Sequence, residues 1–358
     1  EGERGRFEPG LPRSSDGQML FLLSLLSKMR PVSKGGSRVA IVMNGSPLFT
    51  GDANGGESEI RRHVFENDLL ETLVAVPEQI FYNTGIATYI WILTNRKPEH
   101  RKGKVQLIDA SGKGFWKPMR KSLGSKRREM DEGHIGKVLE TYHAFEENTD
   151  VSKIYPNEYF GYSKVTVDRS LQLNVQTSAE RMANLENEKQ FTKLDESEQS
   201  NYRKLLEALP TKLYMSRDGF VNDLTAEAKS RGIKIASPLK KAILNALSER
   251  DSNAEVCKDS KGNPEADSNL RDTERIPLDM DRDEYMAKEV LPHVPDAWVN
   301  DTKAGRDSTS GNIGKVGYEI NFNRYFYVYT PPRPLEEIEG EILGLQTQIN
   351  DLMGQLFN

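Results

Sequence analysis

Three features of the chain predict an α/β protein in which part of a doubly wound sheet is followed by a mainly helical C-terminal region. The first is the stretch ETLVAVPEQIFYNTGIATYIWILTN, residues 71–95, two β-branched and aromatic runs around a short loop. Neither run alternates cleanly between apolar and polar residues, so both read as strands covered on both faces. The second is the order of patterns around it: helix, strand, helix, strand, then two more strands, up to residue 109. The third is a polar, charged stretch of helical character over residues 178–248, with a heptad pattern at the C-terminal end.

Taken in order, Ser14, Ser15 and Asp16 offer N-caps to a helix over residues 17–30, in which Met19, Leu22, Leu23, Leu26 and Met29 recur at helical spacing. Pro31 ends it, with Lys28 and Arg30 in its last turn. Residues 38–43, RVAIVM, read as a short buried strand, and Asn44-Gly45 as a turn at its end. The helix expected over residues 57–67 turns Ile60 and Val64 inward and leaves Arg61 and Arg62 at its edge. Strands follow at 69–77, 86–94 and 104–109. In such a sheet ligands sit outside the carboxyl ends of the strands, so Asn44, Gly45, Ser46 and the loop 78–84 are expected on one functional edge.

From Ser111 the chain turns basic: Lys113, Lys117, Arg120, Lys121, Lys126, Arg127 and Arg128 surround Phe115 and Trp116. Such a stretch can hold DNA phosphates or be simply a solvated surface. A short helix over 133–147 and a strand-rich piece over 160–174 close this part. Further on, Phe220, Leu224 and Ala228 form one apolar stripe, and Leu239, Ile243, Leu244 and Leu247 another. Residues 251–269 have the composition of a mobile loop. The final signal is Leu335, Ile338, Ile342, Leu345, Ile349, Leu352 and Leu356, alternately three and four apart. This narrow seam suits docking on another helix, the alternative being the chain's own helices.

With 358 residues the chain can bury a sizeable core, while 49 basic against 54 acidic residues give a net charge of -5. That balance excludes a basic footprint over the whole surface, so any nucleic-acid contact is local or shared with a partner. One Cys, Cys257, excludes an internal disulfide, and no apolar run is long enough to span a bilayer. A cytoplasmic protein without membrane contact is expected. The five His residues lack metal-ligand spacing, and neither a Walker loop nor a G-x-S-x-G elbow is present.

The loop within residues 71–95 places adjacent aromatics, Phe81 and Tyr82, beside Asn83 and Thr84. An exposed aromatic pair at a strand end can stack a base, worth about 1–3 kcal/mol; alternatively Phe81 belongs to the core. EQIFYNTGIATYIWILTN, with RVAIVMNGSPLFTGD and SEIRRHVFENDLLE upstream, resembles the methylation subunits of type I DNA restriction-modification systems, which are adenine-N6 methyltransferases. NLRDTERIPL, EVLPHVPDAWVND and GKVGYEINFNRYFYVYTPPRPLEEIE extend the resemblance, which is densest over residues 7–173 and 269–341.

The resemblance implies the C-terminal half of an S-adenosylmethionine-dependent methyltransferase sheet. It makes Phe81 and Tyr82 the residues stacking a flipped adenine, with Asn83, Thr84 and Gly85 shaping the loop and Asn44 and Ser46 lining the pocket. It favours DNA contact for Lys117, Arg120, Lys121, Arg127 and Arg128. It gives Leu335, Ile338, Ile342, Leu345, Ile349 and Leu352 to a specificity subunit, with a second methylation subunit and a restriction subunit as further partners. The family holds its cofactor on a Phe-x-Gly-x-Gly loop and polarises the amine with Asn-Pro-Pro-Phe. Neither occurs here; Ser46-Pro47-Leu48-Phe49 is a near miss for the second. The chain, opening at Glu1 in a Gly- and Pro-rich stretch, is therefore expected to be the back portion of the enzyme, inactive alone. The expected divisions are a catalytic part (1–110), a basic connecting segment (111–177), a charged helical region (178–313) and a C-terminal segment (314–358). A non-catalytic assembly module joining the specificity subunit to DNA is the rival reading.

Overall fold

A computed structural model describes residues 5–147, 149–329 and 331–356; of Leu356, the last seam position, the side chain lies outside the described residues. Two compact units form, one from Glu1–Lys28, Thr50–Asp68 and Pro156–Glu319, the other from Met29–Phe49, Leu69–Tyr155 and Ile320–Asn358. They cut across the expected divisions, because each unit is assembled by strand pairing between segments far apart in sequence.

The second unit carries, in chain order, β1 (Arg38–Asn44), β2 (Leu70–Val76), β3 (Thr88–Thr94), β4 (Lys104–Asp109), β5 (Lys117–Leu123), β6 (Lys126–Glu129) and β7 (Ser152–Pro156). Its main sheet has the order β1-β3-β2-β4-β7. The connection 77–87 holds no helix, so β3 returns antiparallel beside β2 and also pairs antiparallel with β1, whereas β2 and β4 run parallel. Every residue of β2 is buried, Glu71 and Thr72 included, as expected of a strand covered on both faces. The expectation of a buried β1 is corrected: only Met43 is fully buried, because β1 is an edge strand.

The helix Glu132–Ala144 covers one face, placing Val138 and Tyr142 against Val74, Val76 and Ile108. Asp131 caps its start, and Phe145, at φ 48°, ends it earlier than the expected residue 147. Beneath it the buried Glu71 accepts from the Tyr142 hydroxyl at 2.9 Å and faces Arg38 at 3.0 Å. Arg101 lies between the rings of Tyr142 and Phe145, 4.3 and 4.1 Å from their centroids.

In the first unit the helix Gln18–Leu26 buries Met19, Leu22 and Leu23 but stops well short of Pro31. Lys28 and Arg30 thus lie beyond it, since Ser27 and Lys28 already turn back onto Leu23 and Leu25. Within the helix Gly56–Glu66, Arg61 is wholly buried, not at the edge as expected. Its guanidinium donates to the carbonyl oxygens of Thr50, Gly51 and Tyr318, and burial pushes its pKa down to about 10. The 160–174 piece proves to be central: β8 (Gly161–Asp168) pairs with Asp272–Pro277, Trp298–Val299 and Lys315–Tyr318. A second sheet therefore interrupts the helical C-terminal region.

The two stripes predicted at Phe220–Leu224–Ala228 and Leu239–Ile243–Leu247 meet in one core, with Leu244 partly buried. Residues 251–269 are pinned where a mobile loop was expected. Cys257 is buried and exchanges backbone hydrogen bonds with Leu171 and Glu265, while Arg250 grips Asp267 at 2.6 Å. No helix among the described residues is long and apolar enough to cross a membrane.

Asp307 ties the segment 305–316 to Arg62 at 3.1 Å and accepts from the backbone of Ser310 and Val316. Burial alone would raise its pKa, but these donors and the guanidinium outweigh burial and hold the carboxyl below the usual range. Its stabilising effect is therefore complete above the unfolded value of about 3.9 and is lost as pH falls through the folded value. Asp307→Asn is expected to cost about 3 kcal/mol at pH 7 by leaving Arg62 short of a partner. Urea unfolding across pH 7 to 2 should also show a flatter acid limb for the variant than for wild type.

Candidate functional site

Strand register builds the site. Across the sheet Met43, Tyr89, Ala75 and Asp109 stand side by side on one face, and Asn44, Thr88 and Val76 form the next row. Since β1, β2 and β4 all end here, this is the carboxyl edge, and Asn44, Gly45, Ser46 and the 78–84 loop follow these strand ends. The Asn44 side chain accepts from the Ser46 backbone at 2.9 Å and so caps the short helix Ser46–Phe49. SPLF is thus a helical turn.

The loop is tightly specified. Phe81 and Thr84 form a β-bridge, which turns the chain at Tyr82 and Asn83. Phe81 is 39% and Tyr82 58% exposed, so both rings are accessible, and Phe81 is not a core residue. Gln79 sits at φ 60°, an uncommon conformation for a residue with a Cβ, and its carbonyl accepts from the backbone of Arg127 at 2.9 Å and Arg128 at 3.3 Å. The Tyr82 carbonyl accepts from Ser125 at 2.9 Å. At the turn between β5 and β6, Gly124 has φ 61°, and a Cβ there would lie 2.8 Å from the Tyr82 oxygen. Gly85 carries no such demand, because a Cβ there would meet only Gln79 at 3.8 Å. The loop owes its shape to the β5–β6 hairpin more than to Gly85.

That hairpin carries the basic stretch. Lys117 is spent on Asp131 at 3.2 Å and Glu129 at 3.5 Å, and the Asp131 hydrogen bond with both charges raises its pKa. The Arg128 guanidinium lies 4.1 Å above the Trp116 ring, and the Lys126 ammonium 5.1 Å from that of Tyr82. Arg120, Lys121 and Arg127 are exposed, with no ion pair among the described residues. Of the five basic residues expected to contact DNA, these three carry charge that no described carboxylate engages.

A cavity of about 470 Å³ opens beside the loop, floored by Ala75 between Tyr89 and Asp109, rimmed by Glu78 and walled by Phe322 and Phe326. Asp109 accepts from the Ser111 backbone at 3.0 Å and hydroxyl at 2.6 Å. The sequence reading reaches Glu78 only as the first residue of the edge loop 78–84 and singles out none of the others. Asp109 ends a strand at the carboxyl edge, a signal that was available; Tyr89 was indistinguishable from a core aromatic.

The sequence model of the N-6 DNA methylase family matches residues 2–181, half of the chain, and takes in the loop, the hairpin and this edge. The chain belongs to the N-6 DNA methylase family. It is 31% identical over 159 residues to the type I restriction enzyme MjaIX methylase subunit of Methanocaldococcus jannaschii, covering 44% of this chain and 26% of that one. To the HindI methylase subunit of Haemophilus influenzae it is 30% identical over 141 residues, covering 39% and 29%. Among solved structures, the type I restriction-modification methyltransferase subunit of Streptococcus thermophilus aligns at 27% identity with a TM-score of 0.37, over 44% of this chain and 31% of that chain. The chain thus spans between a quarter and a third of the length of these methylase subunits.

The methylase family implies S-adenosylmethionine, but the glycine-rich turn of this chain, Gly51–Gly56, does not fit that cofactor. A Cβ on Gly56 would strike the Leu11 backbone, and one on Gly51 would meet Glu57 at 2.9 Å. The close approach that glycine allows is taken by the chain itself.

The seam helix, Leu335–Leu356, leaves Leu335, Ile342, Leu345, Ile349 and Leu352 58–69% exposed, with Ile338 half-buried. No described helix of its own unit covers this face.

The exposure of the loop aromatics has a consequence for stability. Phe81→Ala and Tyr82→Ala are each expected to cost about 1 kcal/mol or less in thermal unfolding. A loss of about 3–5 kcal/mol for Phe81→Ala would return that ring to the core.

Proposed function

We propose that this chain forms part of the modification subunit of a type I restriction-modification system, which transfers a methyl group from S-adenosylmethionine to N6 of adenine in DNA. The observation that carries the reading is the pair of exposed rings, Phe81 and Tyr82, on a tight turn at the carboxyl edge, within the segment matched by the methylase family. Enzymes that act on an exocyclic amine must take the base out of the stack, and an aromatic face replaces the stacking it loses. Phe81 and Tyr82 supply that face, while Asn83 and Thr84 hold the turn. Arg120, Lys121 and Arg127 on the hairpin contact phosphates, which fixes position without reading sequence. Residues 1–110 then belong to the catalytic domain, and 111–177 connect it to the remainder. The protein works in the cytoplasm.

In a complete methylase carrying this segment, Phe81→Ala or Tyr82→Ala should lower the methylation rate by roughly 5- to 150-fold, matching about 1–3 kcal/mol of lost stacking, with cofactor affinity unchanged. Radiolabelled methyl transfer to a target duplex checks this, and full activity in both variants would sink the assignment.

The exposed seam favours a second role, assembly, which is compatible with the first. Leu335, Ile338, Ile342, Leu345, Ile349 and Leu352 dock on the specificity subunit, and further methylation and restriction subunits join the same complex. Leu345→Asp should then abolish co-purification with the specificity subunit, since it places a charge in the apolar seam. Retention at wild-type levels would remove the helix from that interface.

A further inference from the structure

The cavity on the carboxyl edge is chemically specific. Tyr89 is only 6% exposed, yet its hydroxyl makes no hydrogen bond to any described residue. The hydroxyl oxygen is not sealed off but opens on the cavity, where it is free to donate to an occupant. Its ring is fixed edge-on against Phe322 at 5.2 Å, so the phenol cannot swing away without losing that contact. Burial first, then the Asp109 and Glu78 carboxylates, raise the pKa of the hydroxyl, so it remains a proton donor at neutral pH. Asp109 stands two strands away across the small Ala75 and is an acceptor with capacity beyond its Ser111 bonds.

A donor and an acceptor that flank one cavity call for a ligand edge that presents both an acceptor and a donor. An amino group next to a ring nitrogen, as in adenine and cytosine, has that edge and turns no further acceptor towards the carboxylate; thymine can offer its N–H only with a carbonyl oxygen on each side, so one of them is left facing the negative charge. The stacked rings of Phe322 and Phe326, 5.0 Å apart, wall the cavity with apolar surface against which a flat base can lie. Arg128 at the lining adds a positive charge for the nucleotide's phosphate.

We propose that the hollow between Tyr89 and Asp109 is a second base-binding site, separate from the Phe81–Tyr82 face, which takes an unstacked amino-bearing nucleobase. The inference rests on the reading that this chain handles nucleotides drawn out of a duplex, but it uses different residues.

The test is fluorescence anisotropy of labelled single-stranded homo-oligomers of dA, dC and dT with the 358-residue chain. Wild type is expected to bind dA and dC about tenfold more tightly than dT, and Tyr89→Phe and Asp109→Asn should each bring that ratio close to one. Tyr89→Phe keeps the ring and its contact with Phe322, so folding is preserved. Competition by free deoxyadenosine would show that the site takes a nucleoside, and competition by oligomers alone that it takes a base within a strand; either supports the site. Equal binding of the three oligomers, or an undiminished ratio in Tyr89→Phe, overturns it. Phe81→Ala serves as the separate control. It should weaken all three oligomers alike, and its failure to do so would count against the stacking loop while leaving the ratio to judge the cavity.

Discussion

β3 is hydrogen-bonded along both edges, to β1 on one side and β2 on the other, and the carboxyl edge takes its arrangement from that pairing. Because β3 starts where β1 and β2 end, the loop that feeds it must cross the ends of parallel-running strands. A single-residue slip would turn Tyr89 and Thr88 to opposite faces, exchanging the floor of the cavity for the residues beneath the helix Glu132–Ala144. Buried Glu71 ties β2 to that register, since a slip would carry its carboxylate away from the Tyr142 hydroxyl and the Arg38 guanidinium.

The hairpin of β5 and β6 depends on the same frame and in turn shapes the loop. Backbone donors from Ser125, Arg127 and Arg128 hold the carbonyls of Tyr82 and Gln79, so the basic residues and the aromatic pair form one mechanical assembly. A left-handed Gln79 is tolerated because two donors converge on its carbonyl. Charge and stacking surface are thus held a few ångströms apart by main-chain bonds, which no side-chain substitution in the basic stretch removes directly.

Several charged residues that look solvent-facing in the sequence are structural. Arg61 satisfies three carbonyl oxygens inside the first unit, and Arg101 is enclosed by aromatic rings in the second. Lys117 is neutralised by Asp131 and Glu129. The basic surface left for a polyanion is accordingly small, which agrees with a chain whose net charge is -5. The seam helix shows the converse: its apolar residues are plain in the sequence and remain exposed in the fold.

The sequence alone determined the local features that repeat or end abruptly. The covered strands at 70–76 and 88–94, the helical stripes that meet around Phe220 and Ile243, the heptad spacing and the aromatic loop were legible because periodicity and turn residues act over a few positions. Only the tertiary structure decided which distant segments meet. It placed β8 at the centre of a second sheet with strands more than a hundred residues later in the chain, pinned residues 251–269 around Cys257, and left β1 at an edge. It also brought Tyr89, Ala75 and Asp109 into one row, because cross-strand register is set by the combined burial of several strands and no single strand encodes it.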